Sequence, residues 1–123
     1  KFFDEIPHKN VQSLLKKCSA GLISLDPRHK SHNIPGKFIS YLQSGLPVIA
    51  RINPNSDLED LIIKNDVGIV YTDYNVNKFS EMINHMVNDE NELKIKSLNA
   101  RDLFLNNFET TSAYNQLISQ MEL

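Results

Sequence analysis

Short apolar runs alternate with segments of helical periodicity along most of this chain. The runs occupy 20–25, 47–50 and 67–71, and each is too short to be a helix on its own. A continuous apolar run of this length is typical of a strand that is covered on both faces. Strands separated by helices predict parallel pairing with right-handed crossovers, because the connections are not hairpins. The alternation therefore predicts a single α/β layer structure.

The remaining pattern adds one short strand and several helices. Lys1–Phe3 is a further β candidate, and helices are predicted at about 9–18, 36–44 and 56–64. After the last strand the pattern is helical only, with apolar stripes in three successive segments. The stripes comprise Phe79, Met82, Ile83, Met86 and Val87; Leu93, Leu98, Leu103 and Phe104; and Tyr114, Leu117, Ile118 and Met121. We expect a Rossmann-like parallel sheet of about four strands, helices on both faces, and C-terminal helices after the last strand.

Two local signals predict where helices end and begin. Gly45 stands where a left-handed helix terminus favours glycine. Ser56 and Glu59 have the spacing of a capping box, in which the serine hydroxyl accepts a hydrogen bond from the amide three residues later. These signals place a helix end just before the second apolar run and a helix start shortly after it.

Cys18 is the single cysteine, so the chain cannot form an internal disulfide. A lone thiol fits a reducing compartment, which favours the cytoplasm. Cys18 continues the helical spacing of Val11, Leu14 and Leu15, and it is therefore predicted to be a small core residue.

Charge and length exclude several classes of protein. The 123 residues carry 13 Lys and Arg against 15 Asp and Glu, for a net charge of −2. Such a balance argues against general nucleic-acid binding, which needs a basic surface. No apolar run approaches the roughly 20 residues of a membrane-spanning helix. With 41% apolar residues the chain can bury a core, and residues 1–123 are expected to form a single domain.

A cationic segment follows the first long apolar run. Between Arg28 and Lys37 there are two lysines, one arginine and two histidines, with no acidic residue. The segment leads into the amino end of a predicted helix, where free N–H groups and the helix dipole favour an anion. Gly36 leaves room for close approach of a ligand, and Lys37 adds a positive charge. This pattern indicates a phosphate or diphosphate site, and a solvated surface loop explains it about equally well.

Other polar residues point to no particular chemistry. His29 and His32 could share a metal ion, but no carboxylate or thiol has matching spacing, so no metal is expected. Asp57, Glu59 and Asp60 are typical of favourable charges in the first turn of a helix. No nucleophile elbow, Walker loop or dinucleotide fingerprint is present, and the sequence therefore names no catalytic residue.

The segment from Asn33 to Ala50 closely resembles the donor-site segment of retaining glycosyltransferases of the GT-B fold, group 1 type. In that family the pattern is Pro-(Gly/Asn)-Lys, then a helix of the form Glu-Tyr-Leu-Ala-x-Gly-x-Pro-Val-Ile-Ala. Residues 2–7 are similar to the family's strand and turn beside the nucleotide base. Residues 11–25 and 56–71 are similar to its neighbouring helices and strands. The resemblance spans nearly the whole chain.

The resemblance implies a set of donor-binding residues. Ile6 would contact the nucleotide base through its main chain, and Ser40 occupies the position that contacts the ribose. The family commonly has two glutamates eight residues apart, which fall here at His32 and Ser40. A serine hydroxyl cannot match a carboxylate that accepts from both ribose hydroxyls. The residues implied at the donor diphosphate and sugar are His32, Asn33, Ile34, Pro35, Gly36 and Lys37.

The resemblance also implies an activity and its setting. The family transfers a sugar from a nucleotide diphosphate carrier to an acceptor hydroxyl, and the donor is a substrate, so no cofactor is expected. A bacterial, cytoplasmic enzyme of surface polysaccharide or lipopolysaccharide synthesis is implied, with a parent that associates with the membrane. The chain corresponds to part of the C-terminal nucleotide-sugar-binding domain. The N-terminal acceptor domain would be the missing partner, and the isolated chain is expected to be inactive.

Two alternatives remain open at this stage. The chain could be a non-catalytic α/β module that binds a nucleotide or phosphate, with Ser40 marking a lost ribose contact. It could also be an interaction domain that forms a homodimer through an exposed sheet edge, because an unpaired edge is a template for another strand.

Overall fold

The computed structural model describes residues 4–28 and 34–109, and it has the predicted α/β class. The predicted strand at Lys1–Phe3 and the predicted helix from Tyr114 to Met121 lie outside these residues. In chain order the elements are α1 His8–Leu15, β1 Gly21–Ser24, α2 Gly36–Gln43, β2 Val48–Arg51, α3 Asp57–Lys64, β3 Gly68–Tyr71, α4 Val76–Val87 and α5 Glu90–Leu103. A π-helical segment, Phe104–Phe108, continues α5.

The strands form one parallel sheet in the order β1, β2, β3. Among residues 4–28 and 34–109 the sheet has three strands. The sequence predicts about four, and one of them, Lys1–Phe3, lies outside the described residues. Val48 lies opposite Gly21 on one side and Gly68 on the other. The same register brings the last residues of the three strands level with one another. These are Ser24, Arg51 and Tyr71.

The core lies between one face of the sheet and helices α2, α3 and α5. Phe38 and Leu42 of α2 and Ile62 of α3 have no solvent exposure. They pack in one cluster with apolar residues of the sheet and of α5. From the sheet and α5 these include Ile23, Val48, Ala50, Ala100 and Leu103. This face of the sheet, called the core face below, therefore carries the main apolar burial.

The opposite face of the sheet, called the outer face below, is only partly covered. The ring of Phe79 on α4 stacks on the ring of Tyr71 at a centroid distance of 5.4 Å and an interplanar angle of 9°. Leu22, at the β1 side of the same face, is 52% exposed. Helices thus contact both faces of the sheet, as predicted, while Leu22 on the outer face of β1 stays half-exposed.

Both predicted helix signals are confirmed. The Ser56 hydroxyl accepts from the Glu59 amide at 3.2 Å, and the Glu59 carboxylate accepts from the Asn55 amide at 2.5 Å. The glutamate therefore reaches one residue further back than in a standard capping box. Gly45 has φ +68°, the left-handed conformation that ends α2.

The expectation that Cys18 is a core residue is wrong. Helix α1 ends at Leu15, so Cys18 lies beyond its last turn and is exposed. Its thiol donates to the Leu14 carbonyl at 3.6 Å, and Leu14 is itself 42% exposed. The helical spacing of these residues is therefore not matched by deep burial.

Helix α5 confirms the predicted helix but not the expected burial of each residue in its stripe. Leu98 is 60% exposed, whereas the Lys96 side chain is only 9% exposed. The Lys96 ammonium donates to Asp66 at 2.5 Å and lies 3.5 Å from a Glu92 oxygen. Asp66 has φ +49° and follows α3, so the pair connects the end of α3 to α5.

Among the described helices, none is long and apolar enough to cross a membrane. This finding agrees with the absence of a long apolar run in the sequence.

We predict that Gly68→Ala destabilises the sheet. A Cβ at Gly68 would overlap the Val48 carbonyl oxygen of the adjacent strand, and backbone cannot move aside as a side chain can. We expect the free energy of unfolding in urea to fall by at least about 2 kcal/mol. Gly36→Ala is the matched control, because a Cβ there meets nothing within 4 Å. Equal stability of the two variants would contradict the close approach of β2 and β3.

We further predict that the apolar stem of Lys96 stabilises the fold more than its charge does. Lys96→Ala removes the buried stem and should lower the free energy of unfolding by about 2–3 kcal/mol. Lys96→Met keeps most of the volume, and its cost should stay within about 1 kcal/mol because the partner Asp66 is 58% exposed and can be solvated. Lys94→Met, on the exposed side of α5, is the control. Equal losses for the alanine and methionine variants would assign the effect to the ion pair alone.

Candidate functional site

The implied donor segment leads into the amino end of α2. Ile34 and Pro35 precede the helix and are half-buried, whereas Gly36 and Lys37 in its first turn are exposed. Phe38 follows immediately and is fully buried, with its ring edge-on to Phe108 at a centroid distance of 6.4 Å. The buried phenylalanine fixes the first turn of α2, and the two residues before it face solvent.

The first backbone amides of α2 are free to bind a ligand. Pro35 is the N-cap and provides no side-chain cap, and no acidic residue lies in the first turn. The Phe38 amide donates to the Pro35 carbonyl at 3.1 Å, while the amides of Gly36 and Lys37 have no acceptor within 4–28 and 34–109. Such amides carry the positive end of the helix dipole. A Cβ at Gly36 would have no neighbour within 4 Å among the described residues, and this space gives a ligand access to the amides.

Two further side chains of α2 bear on this segment. Lys37 makes no ion pair with any residue of the described ranges, so its ammonium is available to an external anion. Ser40 is half-buried and lies one turn after Gly36. The structure thus places Gly36, Lys37 and Ser40 within the first five residues of one helix.

The other implied residues stand differently. His32 and Asn33 lie outside the described residues, as does His29. Ile6 is half-buried in the segment before α1, two residues from the start of that helix.

Arg28 does not contribute a free charge to the predicted cationic segment. Its guanidinium holds the Asp26 carboxylate with Nε at 3.1 Å from both carboxylate oxygens and a terminal nitrogen at 2.6 Å from one of them. The Arg28 backbone amide also donates to Asp26, at 3.0 Å. The cationic segment was counted from Arg28 onward, so Asp26, two residues earlier, was left out. The segment therefore has one free cation fewer than its sequence suggests.

The same pair extends to Tyr74, whose hydroxyl donates to the Asp26 carboxylate at 3.1 Å. The hydrogen bonds from Arg28 hold the pKa of Asp26 far below its ordinary value, with a smaller contribution from Tyr74. Asp26 in turn raises the pKa of Arg28. Partial desolvation and the bond to Asp26 raise the pKa of Tyr74. Asp26 is therefore an ionised, fully engaged carboxylate.

Sequence reasoning missed Arg51, which ends β2. Its Nε donates to the Asp73 carbonyl at 3.3 Å, and its guanidinium carbon lies 5.1 Å from the centroid of the Tyr74 ring. A signal was present: a lone cation directly follows the buried run 48–50, at the carboxyl end of a strand, where parallel sheets bind ligands. Its partners could not be foreseen, because Asp73 and Tyr74 follow the next strand.

A cavity lies at the carboxyl end of α2, between this helix, α1 and α5. It measures about 550 Å³ and is lined by polar residues that mainly bind one another. Gln12 bonds to both Gln43 and Ser44, and Arg101 donates to the Gln43 carbonyl at 2.6 Å. These polar groups satisfy each other, so they are better explained as a junction between helices than as a binding site.

No cluster of three or more His, Cys, Asp or Glu that could hold a metal ion occurs among residues 4–28 and 34–109. Comparisons of the chain with protein-family models, with curated proteins and with solved structures returned no match. Function is therefore argued from the geometry of the chain and from its sequence resemblance.

Proposed function

We propose that this chain binds the diphosphate of a nucleotide-sugar donor at the amino end of α2, as part of a GT-B-type glycosyltransferase. The observation that carries the proposal is that the Gly36 and Lys37 amides and the Lys37 ammonium have no partner among residues 4–28 and 34–109. A helix amino end with free amides and a cation favours a phosphate group. The family resemblance of 33–50 adds the expectation that the phosphate belongs to a sugar nucleotide.

The role proposed for these groups is electrostatic. When the bond between the sugar and the diphosphate breaks, negative charge develops on the departing diphosphate. The burial of Phe38 fixes the first turn of α2 and with it the Gly36 and Lys37 amides, so these amides stabilise that charge without rearranging, and the exposed Lys37 side chain adds its charge. The sequence pattern identifies no catalytic base. We therefore assign binding and activation of the acceptor hydroxyl to the acceptor domain of the parent enzyme.

The wider setting of the proposal follows from the same resemblance. The parent would be a bacterial, cytoplasmic enzyme of surface polysaccharide synthesis that associates with the membrane. The chain would represent part of its donor-binding domain and would be inactive in sugar transfer when isolated. Ile6, His32 and Asn33 keep their implied roles at the base and the diphosphate as parts of this proposal.

The first test is calorimetric titration of the chain with uridine, guanosine and adenosine diphosphates. We expect one of them to bind, and we expect Lys37→Gln to weaken it about tenfold by removing a charge-assisted contact. Gly36→Ala should also weaken binding, because its methyl group would occupy the space in front of the amides, while leaving thermal unfolding unchanged.

Lys64→Gln is the matched control for this test. It changes the net charge equally, and Lys64 is exposed in a long 3.9 Å pair with Asp60 that contributes little to stability. Equal weakening by Lys37→Gln and Lys64→Gln would reduce the effect to general charge. Absence of heat with all three diphosphates would contradict the proposed site.

Ser40→Glu separates a working variant of the donor site from a non-catalytic phosphate module. If a ribose lies beside Ser40, a carboxylate there can accept from both ribose hydroxyls and should tighten nucleoside diphosphate binding about tenfold. Binding of inorganic pyrophosphate, which has no ribose, should not improve. Ser80→Glu, an exposed position on α4, is the control. An affinity for nucleotides that does not respond to Ser40→Glu favours the non-catalytic module.

A further inference from the structure

A second cavity lies at the carboxyl ends of the three strands, on the outer face of the sheet. It measures about 280 Å³. The final residues of β1, β2 and β3, which the register brings level, all line it. The lining residues beyond these three come from the loop after β3 and from the start of α4. The strand residues are Ser24, Arg51 and Tyr71, and the others are Tyr74, Asn75, Val76 and Phe79.

This strand-end cavity is separate from the amino end of α2. Helix α2 packs on the core face through Phe38 and Leu42. Ser24, Arg51 and Tyr71 point to the outer face, because side chains alternate along a strand and Ile23 and Ala50 point to the core. The cavity therefore does not belong to the proposed diphosphate site.

Arg51 is a half-buried cation with no counter-charge among the described residues of the cavity wall. Its Nε is engaged by the Asp73 carbonyl, but neither terminal nitrogen has an acceptor in the part of the chain that the structure describes. None of the described lining residues is acidic, and the nearby carboxylate of Asp26 is held by Arg28 and Tyr74. The Asp73 carbonyl and the Tyr74 ring contact this cation but carry no full negative charge, so a bound anion would offset the remaining cost of its partial desolvation.

The remaining walls favour a flat, largely apolar body on that anion. The rings of Tyr71 and Phe79 stack in parallel and form one wall. The Tyr74 ring lies against the guanidinium of Arg51 on another side. Aromatic rings of this kind pack well on a planar ligand in an offset stack. The volume lies slightly below the roughly 300–1,000 Å³ of most ligand pockets, so the occupant must be small.

Arg51 is the one cation among the described residues that line the cavity, and this limits the charge of the anion. A guanidinium can bind a carboxylate through two parallel hydrogen bonds, and one positive charge balances one carboxylate. A phosphate monoester carries about −1.5 to −2 at neutral pH, which one arginine does not balance. The amino end of α4, at Val76, adds only the partial charge of a helix dipole.

We infer that the strand-end cavity binds a small carboxylate carried on a planar ring, with the two terminal nitrogens of Arg51 holding the carboxylate and the rings of Tyr71 and Phe79 packing on the body. The site requires no donor nucleotide, so the test of this inference is independent of the test of the proposed diphosphate site.

The test is titration of the isotope-labelled full chain with benzoate, followed by nuclear magnetic resonance of its backbone amides. We expect shifts concentrated at the residues that line the cavity and a dissociation constant of about 1 mM. Benzamide has the same shape without the charge, and it should bind at least about tenfold more weakly. Added salt should weaken benzoate binding more than benzamide binding.

Variants assign the effect to Arg51. Arg51→Gln should weaken benzoate at least about tenfold while leaving benzamide unchanged, and Lys64→Gln should change neither. Ser24→Val narrows the cavity at an exposed strand position without touching the arginine, and it keeps the test decisive if Arg51→Gln does not fold. It should weaken both compounds.

Several results would overturn the inference. Equal binding of benzoate and benzamide, shifts located elsewhere, or no binding at about 20 mM would each exclude an arginine-directed carboxylate site. Tighter binding of inorganic phosphate than of benzoate at the same residues would exclude the choice of a carboxylate. Full benzoate affinity in Arg51→Gln would remove Arg51 from the site.

Discussion

The register of β2 against its two neighbours is the constraint on which both ends of the sheet depend. At the amino end, Gly68 lies so close to Val48 that no Cβ fits between them. At the carboxyl end, the same register brings Ser24, Arg51 and Tyr71 level. A slip of one residue would turn Arg51 toward the core face, because side chains alternate along a strand. Close pairing at Gly68 thus belongs to the same register that places Arg51 on the outer face at the other end of the sheet.

The distribution of charge matters more here than its total. The chain has a net charge of −2, yet two cations at the carboxyl end of the sheet, Lys37 and Arg51, have no carboxylate partner among the described residues. Arg28, close to both in sequence or space, is neutralised by Asp26. Lys37 stands at a helix end over the core face and Arg51 on the outer face. The two proposed anion sites at this edge of the sheet are compatible with an acidic chain because each relies on local geometry.

The fold was predictable from the sequence where the deciding interactions join residues that are close to each other in the chain. The Ser56 cap and the left-handed Gly45 act within a few residues, and the alternating runs fix parallel pairing. Burial was less predictable because it depends on distant partners. Cys18 has the spacing of a core residue but α1 ends before it, and Lys96 is buried because Asp66, thirty residues away, receives its ammonium.

The same distinction separates the two proposed binding regions. The amino end of α2 could be predicted, since a glycine and a lysine at the start of a helix form one continuous segment. The strand-end cavity could not, because it exists only when Phe79 of α4 stacks on Tyr71 and the loop after β3 passes over Arg51. The sequence showed only that Arg51 is a cation at the end of a buried strand. Its environment is a product of tertiary packing.

Asp26, two residues after the end of β1, is a poor candidate for a general base. Asp26 accepts hydrogen bonds from Arg28 and Tyr74, and these keep its pKa far below its usual range. A general base works best when its pKa lies near the working pH, so a carboxylate held this low is a poor proton acceptor. Lys37, Arg51 and free amides can bind and stabilise negative charge, but they do not remove a proton from an acceptor hydroxyl. Asp26 is therefore suited to holding Arg28 and Tyr74 in place and not to accepting a proton from an acceptor hydroxyl.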